Sequence, residues 1–213
     1  MIFKHENQTL ELLKEKAIYW HEESALIISD LHIGKANSFR KNGFAIPGNS
    51  ERDINRIKSL IKSFRIDQII ILGDLFHFEE NEDWKLFQSL ISEYSQISWH
   101  LVLGNHDQKF LKKADQSWSA LKVYESLYIG PYYFVHKNEG LIEEEKFVWS
   151  GHVHPKFKIQ GKAKQSATLP CFYIGKASGI LPSFGSFTGG YLVDKNEGDS
   201  IYLITKEKII QVL

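Results

Sequence analysis

Apolar residues in this chain come in short β-branched and aromatic bursts, never in long runs. TLELL, AIYW and ALIIS near the start read as strands, separated by a polar turn at Lys14-Glu15-Lys16 and a second polar turn. Ile54, Ile57, Leu60, Ile61 and Phe64 recur at helical spacing and predict an amphipathic helix from about Ser50 to Phe64, with Ser50 and Asp53 as a capping box. Trp84, Phe87, Leu90, Ile91 and Tyr94 predict a second helix from about Asn81 to Tyr94. Strands at 68–72 and 98–103 follow these helices, as in βαβ units. After about residue 120 the pattern changes to short strands and turns with no long helix. No repeat, low-complexity tract or linker interrupts the chain. The expectation is one domain over 1–213, of α/β (α+β) class: a two-sheet β-sandwich core flanked by helices on its outer faces.

Five of the apolar runs end on residues of metal-ligand type. Asp30-Leu31-His32 follows ALIIS, and Gly73-Asp74 follows IIIL. Gly104-Asn105-His106-Asp107 follows HLVL, His136 follows YYFV, and Gly151-His152-Val153-His154 follows FVWS. Ligand sites in open α/β sheets lie beyond the carboxyl ends of strands. One cluster built from these ends has too many ligands for a single ion, and two ions sharing a carboxylate would use them all.

Asp74 is the candidate bridge, since two carboxylate oxygens can hold two cations about 3.5–4 Å apart. Asp30 and His32 can reach one ion from an unwinding strand end. His152 and His154 have the same spacing and can serve different ions. Asn105 offers a carbonyl oxygen and His136 an imidazole. Hard and borderline N/O donors without thiolate fit two divalent ions, with Mn²⁺ expected and Fe²⁺ or Zn²⁺ as alternatives. Such a site is locally cationic and suits a phosphate. A bridging water brought from a pKa of 15.7 to about 7 becomes a hydroxide able to attack phosphorus in line. His106 is placed to protonate the leaving oxygen, with Asp107 orienting its imidazole.

Composition narrows the class of ligand. The 213 residues carry 26 Lys+Arg and 26 Asp+Glu, a formal net charge of zero. A broad basic face gripping a nucleic-acid backbone is not expected. One cysteine, Cys171, excludes an internal disulfide and reads as a small buried apolar residue in a reducing compartment. No signal core and no run of about 20 apolar residues is present, so a cytoplasmic location without membrane partners is expected.

In this order, D-x-H, G-D, G-N-H-D, H and G-H-x-H over residues 30–154 resemble the calcineurin-like metallophosphoesterases. The resemblance implies that Asp30, His32, Asp74 and His154 hold one metal. It implies that Asp74, Asn105, His136 and His152 hold the other, with His106 as proton donor. DLHIGKANSFRKNGFAIP at 30–47 and LPCFYIG with LPSFGSFTGG between 169 and 190 are similar to the bacterial ligase-associated DNA-damage-response phosphoesterases (the PdeM-like subfamily). That similarity implies a DNA phosphodiesterase or endonuclease working in repair beside a DNA ligase, an exonuclease and a helicase. A small nucleotide or other phosphoester is the alternative substrate, favoured by the neutral chain. A binding scaffold of the same fold is the third reading, and the intact ligand set with His106 beside Asn105 argues against it.

Residues around the motifs admit two readings each. Lys35 and Arg40 are candidate phosphate contacts or solvated basic residues. His77 is a candidate substrate contact or a polar loop residue. The SFGSFTGG segment at 183–190 either lines the site and stacks a base, or forms a tight turn. Glu79, Glu80, Glu82 and Asp83 read as a solvated helix start, and Glu143-Glu144-Glu145 as a solvated turn. His5, His21 and His100 lie outside the motifs.

Overall fold

A computed structural model describes residues 1–35, 49–77, 82–108, 118–139, 146–161, 165–186 and 188–213. Its first sheet contains β1 (Ile2–His5), β2 (Gln8–Leu13), β3 (Ala17–Trp20), β4 (Ala25–Ile28), β5 (Gln68–Leu72), β6 (Ser98–Val102) and β7 (Leu121–Tyr124), adjacent in that order. Strands β1 to β4 form an antiparallel meander, whereas β4 to β7 run parallel. Parallel neighbours need crossovers, and two helices supply them: α1 (Ser50–Ser63) between β4 and β5, and α2 (Glu82–Glu93) between β5 and β6.

The second sheet is built from β8 (Leu127–Ile129), β9 (Tyr132–Phe134), β10 (Phe147–Ser150), β11 (Pro155–Gln160), β12 (Ser166–Ile174), β13 (Ser178–Ile180), β14 (Tyr191–Leu192), β15 (Ser200–Ile204) and β16 (Ile209–Val212). Its order is β14-β11-β12-β13-β10-β9-β8, with β15 also pairing β12 and β16 pairing β15. Strand β10 is parallel to both β9 and β13.

Two apolar layers hold this together. Between the sheets, Trp20, Ile27, Ile70, Leu72 and Val102 pack on Tyr132, Phe134, Trp149 and Phe172. On the other side of the first sheet, Ile28, Ile71 and Leu101 meet Ile57 and Leu60 of α1 and Phe87 and Leu90 of α2. Strands β4, β5 and β6 are therefore buried on both faces, which is why IIIL and its neighbours are apolar without alternation. Both described helices cover the first sheet. Among the described residues none covers the second, whose mostly antiparallel neighbours need no crossover. No helix among the described residues is long and apolar enough to cross a membrane.

Two local expectations need correction. Strand β1 was not expected; its alternating exposed and half-buried residues carry little apolar signal at a sheet edge. The capping box does not form either. Asn49 is the N-cap of α1 and makes no side-chain cap bond. The Ser50 hydroxyl instead donates to Asp83 at 3.0 Å and accepts the Gly34 amide at 3.3 Å. Asp53 accepts the Ser186 amide at 2.8 Å and lies 3.4 Å from Arg56 Nη2. Tertiary partners from residues distant in sequence outcompete the local cap.

Cys171 is buried, and desolvation pushes its thiol up to about 12, in keeping with an inert apolar role.

Removing a large side chain from the inter-sheet layer should be costly. Phe134→Ala, at a position with no exposure, is expected to lose about 3–5 kcal/mol. Leu86→Ala, on the exposed side of α2 at 42% exposure, should stay within about 0.5 kcal/mol of the parent. Urea unfolding of the two variants measures the difference.

Candidate metal centre

The carboxyl ends of β4, β5 and β6 lie along one edge of the first sheet, and those of β9 and β10 along the second. Each ligand-bearing segment starts where its strand stops. Asp30, His32, Asp74, His152 and His154 all adopt left-handed backbone, with φ of 51°, 49°, 47°, 66° and 49°. Asp and His tolerate this region better than most residues, yet it is uncommon outside glycine. Here the turns are held by backbone bonds between strand ends. Asp30 N–H donates to Gly73 O at 3.1 Å, His32 N–H to Asp74 O at 2.9 Å, and Ile33 N–H to Leu75 O at 2.9 Å.

The side chains converge as two triads. Asp30, His32 and His154 offer ligand atoms within 4.8 Å of one another, and so do Asp74, His136 and His152. Asp30 is fully buried and accepts the His152 amide on both oxygens, at 3.2 and 3.0 Å. His154 Nε2 is 3.2 Å from Asp30 Oδ1. Asp74 Oδ2 faces both triads, 3.9 Å from His32 Nε2 and 3.5 Å from His136 Nε2. His136 Nδ1 lies 3.0 Å from the Leu72 carbonyl. A carbonyl only accepts, so Nδ1 carries the proton and Nε2 presents its lone pair to the cluster.

Protonation states suit ligation. Burial, then Lys35 and the neighbouring imidazoles, push His32 down to about 2. Its approach to Asp74 is therefore that of a neutral ring, not an ion pair. Burial and His136 likewise lower His152, against the opposing pull of Asp30 and Asp74.

Three observations test whether the residues fit cations. Both nitrogens of His32 and the Nε2 of His154 are buried without a hydrogen-bond partner. Such atoms in a native fold call for a partner outside the chain. His136 Nε2 and His152 Nδ1 stand 3.0 Å apart. Two nitrogens at the ordinary distance of about 2.0–2.1 Å from one ion would stand roughly 3 Å apart. The donors of the two triads are carboxylates and imidazoles, suited to divalent ions of borderline hardness. The set fits.

Two glycines make this convergence possible. A Cβ on Gly151 would stand 2.5 Å from Asp30 Oδ2 and 2.8 Å from Ser29 Cβ. One on Gly104 would strike the Asp74 amide and carboxylate. The glycines before Asn105 and His152 are thus part of the site's geometry.

His106 is partly exposed at the cluster. Its amide donates to Asp74 Oδ1 at 3.0 Å, and its Nε2 lies 3.9 Å from Asp74 Oδ2. Asn105 is exposed on the same loop. Asp107 does not orient the His106 ring. Its oxygens accept the amides of Gly104 at 2.9 Å and Phe76 at 3.2 Å, and burial raises its carboxyl to about 6. It is a positioning residue for the two loops that carry Asp74 and His106.

An open cleft of about 460 Å³ is lined by His32, Asp74, His106, His152 and His154. Lys35 lines it too, with the pKa of its ammonium lowered by burial against the pull of Asp74 and Asp30. Arg40 lies outside the described residues, as do Glu79, Glu80 and Glu143-Glu144-Glu145. His77 is buried and does not line the cleft; its ring centroid is 5.2 Å from His106 and 5.7 Å from His32.

The 183–190 segment divides between its two readings. Ser183 donates its hydroxyl to Asp30 O at 2.8 Å, and Gly185 donates its amide to the same oxygen at 3.1 Å. Gly189 and Gly190 line the cleft, followed by Tyr191 at 71% exposure. Tyr191 was missed in the sequence, where only its place after SFGSFTGG hinted at it.

The chain belongs to the calcineurin-like phosphoesterase family, whose model matches residues 24–156. It is accordingly a metal-dependent phosphoesterase, a hydrolase of ester bonds. Its structure is similar to that of the nuclease MPE of Pseudomonas putida, with a TM-score of 0.83 and 28% identity over 100% of this chain and 99% of that one. A conserved protein of Streptococcus pneumoniae TIGR4, described as a predicted phosphoesterase, is 12% identical over 88% of this chain and 95% of that one. Its TM-score of 0.34 carries no argument. No curated protein matches.

Gly151→Ala should push Asp30 out of place and weaken Mn²⁺ binding about 10–100-fold, the usual effect of disturbing a ligand's support. Gly161→Ala, whose Cβ meets nothing closer than 3.7 Å among the described residues, is the control. Calorimetric titration of metal-free protein with Mn²⁺ compares them.

Proposed function

We propose that this chain is a two-metal phosphodiesterase that cleaves DNA, in the repair setting that its sequence resemblance implies. One observation carries the reading: two ligand triads meet at Asp74 on the wall of an open cleft, with His106 beside them. The similarity to a nuclease over the whole chain supports nucleic acid as the substrate.

Asp30, His32, Asp74 and His154 would hold one ion, and Asp74, Asn105, His136 and His152 the other, with Mn²⁺ the expected metal and Fe²⁺ or Zn²⁺ the alternatives. When bound, the ions supply Lewis acidity, polarising phosphate oxygens and acidifying water. The remaining work falls to side chains. Lys35 draws a non-bridging phosphate oxygen into the cleft. His106, fixed through its amide to Asp74, delivers a proton from Nε2 to the leaving oxygen. Tyr191 offers an exposed ring against which a base or sugar can stack.

A small nucleotide is the second reading. The balance of 26 basic against 26 acidic residues favours it, because a long polyanion meets no broad basic face.

His106→Ala should retain both metals and lose roughly 10²–10⁴ in turnover on esters with alkoxide leaving groups. A nitrophenolate leaves without needing a proton, so the loss on bis(p-nitrophenyl) phosphate should be much smaller. Equal losses on the two substrates would remove His106 from the acid role.

The substrate is decided by cleavage of a short single-stranded oligonucleotide and of a dinucleotide, with Mn²⁺, across a salt series. We expect oligonucleotide cleavage with a shallow salt slope, worth about one to three phosphates at ~0.7 each for a single strand. Tyr191→Ala should raise KM on the oligonucleotide by about 1–3 kcal/mol per base unstacked. Brisk hydrolysis of the small nucleotide with no cleavage of DNA would establish the second reading.

A further inference from the structure

A second cavity, of about 210 Å³, adjoins the metal cleft. His154 and Gly189 line both, so the two share a wall. The ligand set and His106 do not account for it. Lys16 and Lys156 face it, together with Thr168 and Thr188, and its lining contains no carboxylate. Among the described residues, neither lysine takes part in an ion pair. In a chain with equal numbers of acidic and basic residues, two unpaired lysines at one small cavity stand out.

Both lysines are held in place. Lys16 sits at the turn between β2 and β3 with φ 66°, a backbone conformation that long side chains seldom adopt. Lys156 is the second residue of β11, two positions after the last ligand, and pairs with Leu192 of β14. Its stem runs against Gly190, where a Cβ would meet Lys156 Cε at 2.8 Å. Burial, then the nearby Arg56 guanidinium, pushes the Lys16 ammonium down to about 8, with Asp53 opposing. A desolvated cation of this kind gains when an anion joins it.

We infer that this cavity is an anion subsite for a substrate phosphate neighbouring the scissile one, contacted by Lys16 and Lys156. The inference rests on reading the cleft as a phosphodiesterase site. The substrate class is then a strand or dinucleotide in which a second phosphate, one sugar away, lies across the shared wall. Selectivity for nucleic acid would come from this single contact and not from a basic face.

The test uses the full chain with Mn²⁺ and a double variant, Lys16→Asn with Lys156→Gln. Asn is chosen because it tolerates left-handed backbone. Three substrates are compared: bis(p-nitrophenyl) phosphate and the dinucleotide TpT, each with one phosphate, and 5′-phosphorylated pTpT, with two. In the double variant, KM for pTpT should rise roughly tenfold or more, the scale of one lost charge-assisted hydrogen bond. Its kcat, and both constants on the one-phosphate substrates, should stay within about twofold of the parent, which also reports that the fold is intact. A separate calorimetric titration in EDTA uses thymidine 3′,5′-bisphosphate and inorganic phosphate. The bisphosphate should bind the parent and lose affinity in the double variant. An unchanged KM ratio between pTpT and TpT would overturn the subsite, as would equal affinity of both proteins for the bisphosphate. Failure of the parent to hydrolyse any phosphodiester would sink the activity reading, whereas the titration in EDTA judges the subsite independently.

Discussion

The buried carboxylate of Asp30 is the contact on which the two halves of the site depend. It emerges from β4 in the first sheet, yet both its oxygens accept the amide of His152, which follows β10 in the second. Its own carbonyl accepts Ser183 and Gly185. A carboxylate without solvent exposure is costly unless its charge is paired and its lone pairs are filled. That requirement works as a locating force. Any sliding of one sheet past the other would strip bonds from a charge that water cannot reach. The ligands contributed by separate sheets are thereby kept in mutual register.

Helix α1 reinforces this arrangement through side-chain contacts. Asp53 of α1 binds the Ser186 amide, and Arg56 stacks on Phe184 with its Cζ 3.8 Å from the ring centroid. The segment that holds the Asp30 carbonyl is thus fastened from its outer side. Such over-determination is what left-handed, non-glycine backbone needs, since each instance costs about 1–3 kcal/mol. Five ligand residues adopt it. Close-packed apolar layers on both faces of β4, β5 and β6 leave the strand ends little room to relax that strain.

How legible was this in the sequence? Both helices follow from apolar periodicity, because burial against a sheet repeats at helical spacing, and β4, β5 and β6 from short unbroken apolar runs, whereas β1 at its sheet edge carried too little apolar signal to be read. The ligand residues stood out because Asp, Asn and His followed directly on runs that had to be buried. What stayed hidden depends on contacts between distant positions. The bond from Ser183 to Asp30 spans 153 residues, and no local pattern encodes it. Asp107 looked like a partner for His106 because they are adjacent, yet the loop turns its carboxylate inward to the Gly104 and Phe76 amides. Ser50 and Asp53 matched a capping pattern, but distant partners claimed both side chains. Tyr191 carried no signal beyond its place after SFGSFTGG, since an exposed aromatic beside glycines reads as an ordinary turn until the cleft is seen.

Asp74 couples parts that the motifs present as separate. One oxygen faces an imidazole from each triad, while the other accepts the His106 amide at 3.0 Å. The placement of both triads and of the His106 loop is therefore tied to one side chain, itself given room by the missing Cβ of Gly104. Groups bound to a common support act as a unit, and their individual losses do not add. A change at Asp74 would disturb charge, metal spacing and the His106 loop together. By contrast, Tyr191 reaches the cleft from outside this unit, just beyond the lining glycines Gly189 and Gly190. The centre is accordingly over-determined around Asp74, and its rim is not.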